Sequence, residues 1–399
     1  MKNKKIAIIL LAFIILISMI PLTSSALSGS GTADNPYQLN NYNDLKTFAD
    51  LVNSGNTSAC AILKGNIEAY EHNDWIAIGS AENKYSGTFD GNGHSIIRLS
   101  NSDISEKPTY SGLFGYIGSG ANIKNLCLNT VTSISKNNGY SGGIAGYSKG
   151  NITNCYIQGN LQIVKENGYS GGLVGLNEGI IENCYCSGSG NISAYYAGGI
   201  AGANKLKVLN CFSIYSGNIS GDYCGGIVGL NYAYVEYCYV SSQGKITAEN
   251  FCGGIVGDNN AGIVYSCYNS SSTIFEGRYT GGISGNNSNG EIANCYNSSD
   301  LDLRFSDTSY TIGSIVATNN SGTIDKCYNT GKISIQNSPS SYIVVAGIAG
   351  TTSGGNINNC LNLGDIEYSG NNPGFNYFIG GIVGIANSGT SIEENINIG

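Results

Sequence analysis

Histidine occurs only twice in this chain of 399 residues, tryptophan once, methionine twice and proline five times. Arginine is confined to Arg98, Arg278 and Arg304. The two histidines, His72 and His94, have neither the spacing of a metal site nor that of a nucleophile–base pair. His94 follows the turn "DGNG" and reads as a turn-flanking residue. Charged residues make up 12% with a net charge of −8 and no basic block, which excludes a nucleic-acid-binding surface. Beyond residue 26 no apolar run is long enough to span a membrane. There is no uninterrupted helical repeat either, because Gly-Gly, Asn-Gly and Ser-Gly steps punctuate the chain every few residues.

What is abundant is glycine (58), tyrosine (28) and cysteine (13). The glycine has no period of three, and an apolar fraction of 41% is too high for a disordered chain. The first residues form a targeting segment: basic "MKNKK", apolar "IAIILLAFIILISMIPL", then small residues at Ser24 and Ala26 where a signal peptidase cuts. Residues 1–26 are therefore expected to be a signal peptide and the remainder exported, secreted or held at the cell surface.

The exported part repeats itself. Aligned on "GG-I-x-G", an apolar column runs Leu113, Ile144, Leu173, Ile200, Ile227, Ile255, Ile283, Ile315, Ile348 and Ile382, with steps of 27 to 34 residues. A second column runs from Ile123 through Ile152, Ile181 and Val208 to Ile357. Three residues beyond it come Leu126 and then Cys155, Cys184, Cys211, Cys238, Cys267, Cys295, Cys327 and Cys360. Short β-branched segments bounded by turn residues are strand signals. About three such strands per repeat fit one coil of a parallel β-solenoid, in which stacking at ~4.8 Å buries each coil against its neighbours. About ten coils are expected over residues 110–399.

Residues 27–109 differ and read as an N-terminal cap with leading coils. Leu45, Phe48, Ala49, Leu51 and Val52 have helical spacing. This predicts a helix over 43–53, capped by Asn43, ended by Gly55, and covering the open first edge of the sheet. "WIAIGSAENKYSGTFDGNGHSIIRLS" reads as strand, tight turn and strand.

The segments "GTADNPYQLNNYNDLKTFADLVN", "SGTFDGNGHSIIRL", "YSGLFGYIGSGANIKNL" and the recurrent "GGIVG…IxNCYN" resemble the GLUG-repeat proteins over essentially the whole exported chain. These are exported surface proteins whose repeats also occur N-terminal to IgA-cleaving zinc metallopeptidases. The resemblance implies a right-handed parallel β-helix. It implies no peptidase activity, because the chain has no H-E-x-x-H motif.

The cysteine column lacks C-x-x-C spacing and is expected to be a ladder of buried thiols behaving as small hydrophobes. The residue after each cysteine is Tyr156, Tyr185, Phe212, Tyr239, Tyr268, Tyr296 and Tyr328, and finally Leu361. If cysteine and its i+2 neighbour face inward, these aromatics face outward and form the candidate binding site. A second column, Tyr110, Tyr140, Tyr169, Tyr196, Tyr223, Phe251, Tyr279, Tyr310, Tyr342 and Tyr377, reads as corner packing. Asp258, Glu291, Asp325 and Glu182 fall in unrelated columns and read as solubilising residues at turns, and "DLDLRFSD" (300–307) lies in a lengthened coil. The expected function is extracellular binding of a glycan or surface protein, with no catalytic residue, metal or cofactor. A polysaccharide lyase or glycosidase is the alternative, and a purely structural assembly component a third reading. "SIEENINIG" ends the chain within a repeat, with Asn395 in the cysteine column, so contact between copies through that edge is also expected.

Overall fold

The computed structural model describes residues 27–135, 138–164, 167–304, 309–336, 342–368 and 376–399. The targeting segment and the end of the 300–307 cluster lie outside these residues. One helix is present among them, α1 (Tyr42–Asn53), and the rest is strand and turn. A representative coil contains β1 (Gly139–Gly142), β2 (Ala145–Ser148), β3 (Asn151–Thr153) and β4 (Tyr156–Val164). Each pairs in parallel with its equivalent one coil on: Tyr140 with Tyr169, Ala145 with Val174, Ile152 with Ile181, and Tyr156 with Tyr185. Repetition builds sheets of 10, 13 and 22 strands and a small sheet of three. The fold is a parallel β-solenoid of about ten turns.

The interior is made by the two apolar columns. Leu113 through Ile348 and Ile123 through Ile357 are completely buried, as are the column cysteines. In the last coil Ile382 is only partly covered, and Ile392 and Ile396 are exposed. At the other end, α1 buries Leu45, Phe48, Ala49 and Val52. Phe48 meets Tyr85 and Phe89 at ring distances of 6.1 and 6.0 Å, so the helix packs on the leading coils. Its cap is Asn41 rather than Asn43: Asn41 Oδ1 accepts the Asp44 N–H at 3.0 Å, and Asn43 lies inside the first turn. Ser54 closes the helix and Gly55 follows at φ 118°.

The "DGNG" turn has its positive-φ residues, Asn92 (52°) and Gly93 (76°), but it does not make a hairpin. Thr88–Asp90 pairs with Asn122–Lys124 in the 13-stranded sheet, and Ser95–Ser100 pairs with Cys127–Ile134 in the 22-stranded one. The turn is a solenoid corner. The equivalent corner recurs in the later coils at the residue before the cysteine column, Asn125, Asn154, Asn183, Asn210, Tyr237, Ser266, Asn294, Lys326, Asn359 and Glu394, with φ between 50° and 55°. Asparagine tolerates this left-handed conformation better than most residues. The non-asparagine corners therefore carry strain.

The glycine after each apolar residue has a packing reason. A Cβ on Gly229 would stand 2.7 Å from both the Ala197 amide nitrogen and the Gly202 carbonyl oxygen. Here the strand after the glycine pair lies with its backbone directly on the strand before it, and only hydrogen fits between. Two outcomes follow. Gly229→Ala should lower stability by roughly 1–3 kcal/mol or more, seen as a fall in melting temperature, because backbone atoms cannot move aside as side chains do. Lys326→Asn should raise stability by up to about 1 kcal/mol through relief of left-handed strain; unchanged or lower stability in denaturant unfolding would contradict the corner argument.

Candidate interaction surface

Strand alternation decides which side chains leave the solenoid. The residues after the aromatic column, Ile157, Cys186, Ser213, Val240, Asn269, Asn297, Asn329 and Asn362, are all buried. The aromatics between them and the cysteines therefore point out. Tyr156, Tyr185, Phe212, Tyr239 and Tyr296 are half-buried, and Tyr268 and Tyr328 are exposed. In-register pairing links Tyr156, Tyr185, Phe212, Tyr239, Tyr268, Tyr296 and Tyr328 into one row.

The rings stack on each other. Centroid separations are 4.8 Å for Tyr156–Tyr185, 4.7 Å for Tyr185–Phe212, 4.8 Å for Phe212–Tyr239 and 4.9 Å for Tyr239–Tyr268, with planes within 9° of parallel. Tyr296 and Tyr328 stack at 4.1 Å. Within these two stacks, Tyr156 to Tyr268 and Tyr296 with Tyr328, ring faces are laid against neighbouring rings, and the row presents mainly edges and hydroxyls. Beside it runs a second outward row, Ser241, Ser270, Ser298 and Thr330, and the Tyr296 hydroxyl bonds Thr330 Oγ1 at 2.9 Å. The row is a ridge rather than a platform of open ring faces.

The second aromatic column is continuous from Tyr110 to Tyr279 and then breaks. Tyr279 pairs with Thr311, Tyr310 with Ile343, and Ile343 with Tyr377, while Tyr342 falls beside Asn376. The register moves by one residue where the coils lengthen, so Tyr310 turns into the core and Tyr342 is left exposed. Sequence alignment had placed all of these in one column. Over the earlier coils, Tyr140, Tyr147, Tyr169 and Tyr196 cover a buried strip of Leu176, Ala203 and Leu230, in keeping with corner packing.

Inside, the cysteines form the expected ladder. No disulfide joins them; twelve of the thirteen are buried and Cys60 is half-buried. Cys238 Sγ donates to the Glu236 carbonyl at 3.3 Å or the Val208 carbonyl at 3.7 Å, while the Cys238 N–H points to Cys267 Sγ at 3.4 Å. Burial pushes the Cys186 thiol up to about 12 and the Cys238 thiol well above its ordinary value. Asn395, in the cysteine column, makes the same contacts with stronger groups: it accepts the Cys360 N–H and donates to Ile357 O, both at 2.8 Å.

Two buried asparagine ladders escaped the sequence reading. In the first, Nδ2 of Asn177, Asn204, Asn231, Asn259 and Asn287 each donates to Oδ1 of the next asparagine, ending at Asn319, at 2.8–2.9 Å. In the second, Asn269, Asn297, Asn329 and Asn362 bond successively toward Asn397 at 2.7–3.1 Å. The signal was available, since Asn177, Asn204, Asn231, Asn259 and Asn287 stand at a constant offset from the repeat glycine, and Asn319 at the same offset from Ala317, which takes the glycine's place.

The acidic residues do not converge. Glu291 is exposed and Glu182 and Asp325 are half-buried; all three lie in strands of the 13-stranded sheet rather than at turns. Asp258 is no turn residue: it sits in a strand, nearly buried, with Oδ1 2.8 Å from Asn286 Nδ2, and burial raises its pKa. His72 stacks on Tyr42 at 4.0 Å, and His94 follows its corner turn. Among the described residues no group of three or more His, Cys, Asp or Glu could hold a metal ion, and no helix is long and apolar enough to cross a membrane.

No family model matches the chain. It is 30% identical over 133 residues to halomucin from Haloquadratum walsbyi, an alignment covering 32% of this chain and 1% of that protein's length. In structure it is similar to a Bacteroides ovatus protein named as a proposed immunoglobulin A1 protease, with TM-score 0.49 and 23% identity over 62% of this chain and 79% of that one.

With twelve of the thiols buried away from any reagent, only Cys60 should react with a thiol reagent such as 5,5′-dithiobis(2-nitrobenzoate) in the native protein, the other twelve reacting after unfolding. Rapid native labelling of the column would show that it faces water.

Proposed function

We propose that this chain is an exported surface scaffold of the GLUG-repeat kind, with residues 1–26 as a removed targeting segment and residues 27–109 as cap and leading coils. Its role is non-catalytic binding of an extracellular partner through the ridge from Tyr156 to Tyr328. The observation that carries the reading is the ridge itself: seven aromatic side chains in one outward row, where polar side chains would keep a solenoid face soluble at no cost. The partial likeness to halomucin supports an extracellular setting. Edges and hydroxyls in a straight row suit a long glycan or a flat protein surface better than a small molecule held in a pocket.

Replacing Tyr239, Tyr268 and Tyr296 together by serine tests this. The variant should keep its melting temperature within a few degrees and lose at least about tenfold in binding to whichever glycan-array or cell-envelope surface retains the parent, as happens when aromatic anchors are removed. A triple variant that unfolds would make the ridge a packing element. One that folds and binds like the parent would place the site elsewhere.

A further inference from the structure

The second aromatic column starts at Tyr110, and a column has an end. Tyr140, Tyr169 and Tyr196 each lie between two rings of that column. Tyr110 has Tyr140 on one face, at 5.4 Å and 11°. Tyr147 is 6.1 Å from Tyr110 and 5.8 Å from Tyr140, so it stands beside both rings rather than beneath the first. Tyr116, tilted by 57°, belongs to the same coil as Tyr110 and packs on Tyr147 at 4.4 Å. No other ring meets Tyr110 among the described residues.

One rung earlier there is no strand to carry another ring. Tyr110–Ser111 pairs with the following coil, and the preceding chain touches this one through single bridges, Ile78 to Phe114 and Tyr85 to Ile117. Where the ring would sit is a cleft of about 430 Å³, wholly within the continuous stretch 27–135. Its apolar walls are Tyr110, Pro108, Ala77, Ala81 and Ile76, the last 62% exposed.

The polar groups of the cleft are largely spent on each other. Asn53 Nδ2 donates to Ala77 O at 3.1 Å, and its Oδ1 accepts the Gly79 N–H at 2.8 Å. Ser80 Oγ donates to Glu82 Oε2 at 2.9 Å and accepts the N–H groups of Glu82 and Asn83. The hydrogen bonds from Ser80 and from its own amide hold the Glu82 carboxyl below its ordinary pKa, so it is ionised at neutral pH. Burial first, then Tyr140, Tyr116 and the charge of Glu82, raise the pKa of the Tyr110 hydroxyl, so that charge reaches the ring. The neighbouring lysines are engaged elsewhere. Lys84 Nζ lies over Tyr116 at 5.4 Å, and Lys107 Nζ donates to the carbonyls of Asn101 and Ser102 at 2.9 and 2.8 Å.

We propose that this cleft binds a quaternary ammonium group of the choline type. A tyrosine face free of other rings attracts a cation, and the attraction grows where water is displaced. A carboxylate beside it favours positive charge and repels anions. A primary ammonium needs acceptors for three N–H groups, whereas a quaternary one needs none and gains from apolar walls. The volume falls at the lower end of the range for ligand sites. The cleft shares no residue with the ridge from Tyr156 to Tyr328, and this reading does not rest on that one.

Calorimetric titration of the exported chain with choline chloride, beside its uncharged isostere 3,3-dimethylbutan-1-ol, tests the site. Choline should bind with a dissociation constant on the order of 1 mM, and the isostere at least about fivefold more weakly. Tyr110→Leu and Glu82→Gln should each weaken choline binding at least about threefold at unchanged melting temperature. Glu82 is exposed, so its variant reports on the site even if Tyr110→Leu unfolds. Co-sedimentation with phosphatidylcholine vesicles, competed by free choline, would assign the group to a lipid headgroup; choline binding without it would assign a free solute. Absence of choline binding, equal affinity for the isostere, or undiminished affinity in Glu82→Gln would overturn the proposal.

Discussion

Everything in this molecule depends on parallel, in-register pairing between coils. A coil of about 28 residues encloses too little to have a core of its own, so it is stable only with another coil above and below it. Register then places like on like: isoleucine on isoleucine, Cys224 on Cys252, asparagine on asparagine, tyrosine on tyrosine. A favourable contact at one rung is repeated along the whole axis, and so is an unfavourable one. That is why the glycine column is kept wherever backbone lies on backbone, and why the corners select asparagine.

Repetition also solves the interior's polar problem. A buried carboxamide with no partner costs roughly 1–3 kcal/mol, yet each asparagine here donates to the next and closes its own turn as well, as Asn177 does with the Gly179 carbonyl at 2.9 Å. The chain of amides is satisfied because the rung spacing matches the reach of a side-chain hydrogen bond. The thiol ladder uses the same geometry with weaker groups, and the substitution of Asn395 at its end shows that the two chemistries occupy equivalent sites.

The same spacing that satisfies the amides governs the outer rings. At ~4.8 Å between rungs, flat side chains in one column are close enough to cover each other. A regular aromatic ladder therefore spends its ring faces on itself and offers edges to the solvent.

Much was legible in the sequence. Identical residues at a near-constant period identified the solenoid, the inward columns and the outward direction of the ridge, because alternation along a strand leaves few choices once one column is known to be buried. The helix was legible from its apolar spacing, although its cap moved to Asn41, where the side chain reaches the Asp44 amide. What the chain order could not reveal were relations between coils. The one-residue shift that buries Tyr310 and exposes Tyr342 comes from lengthened coils, and only the pairing of strands decides where the extra residues go. Neighbouring residues set the columns; contacts between residues a whole coil apart set the surface.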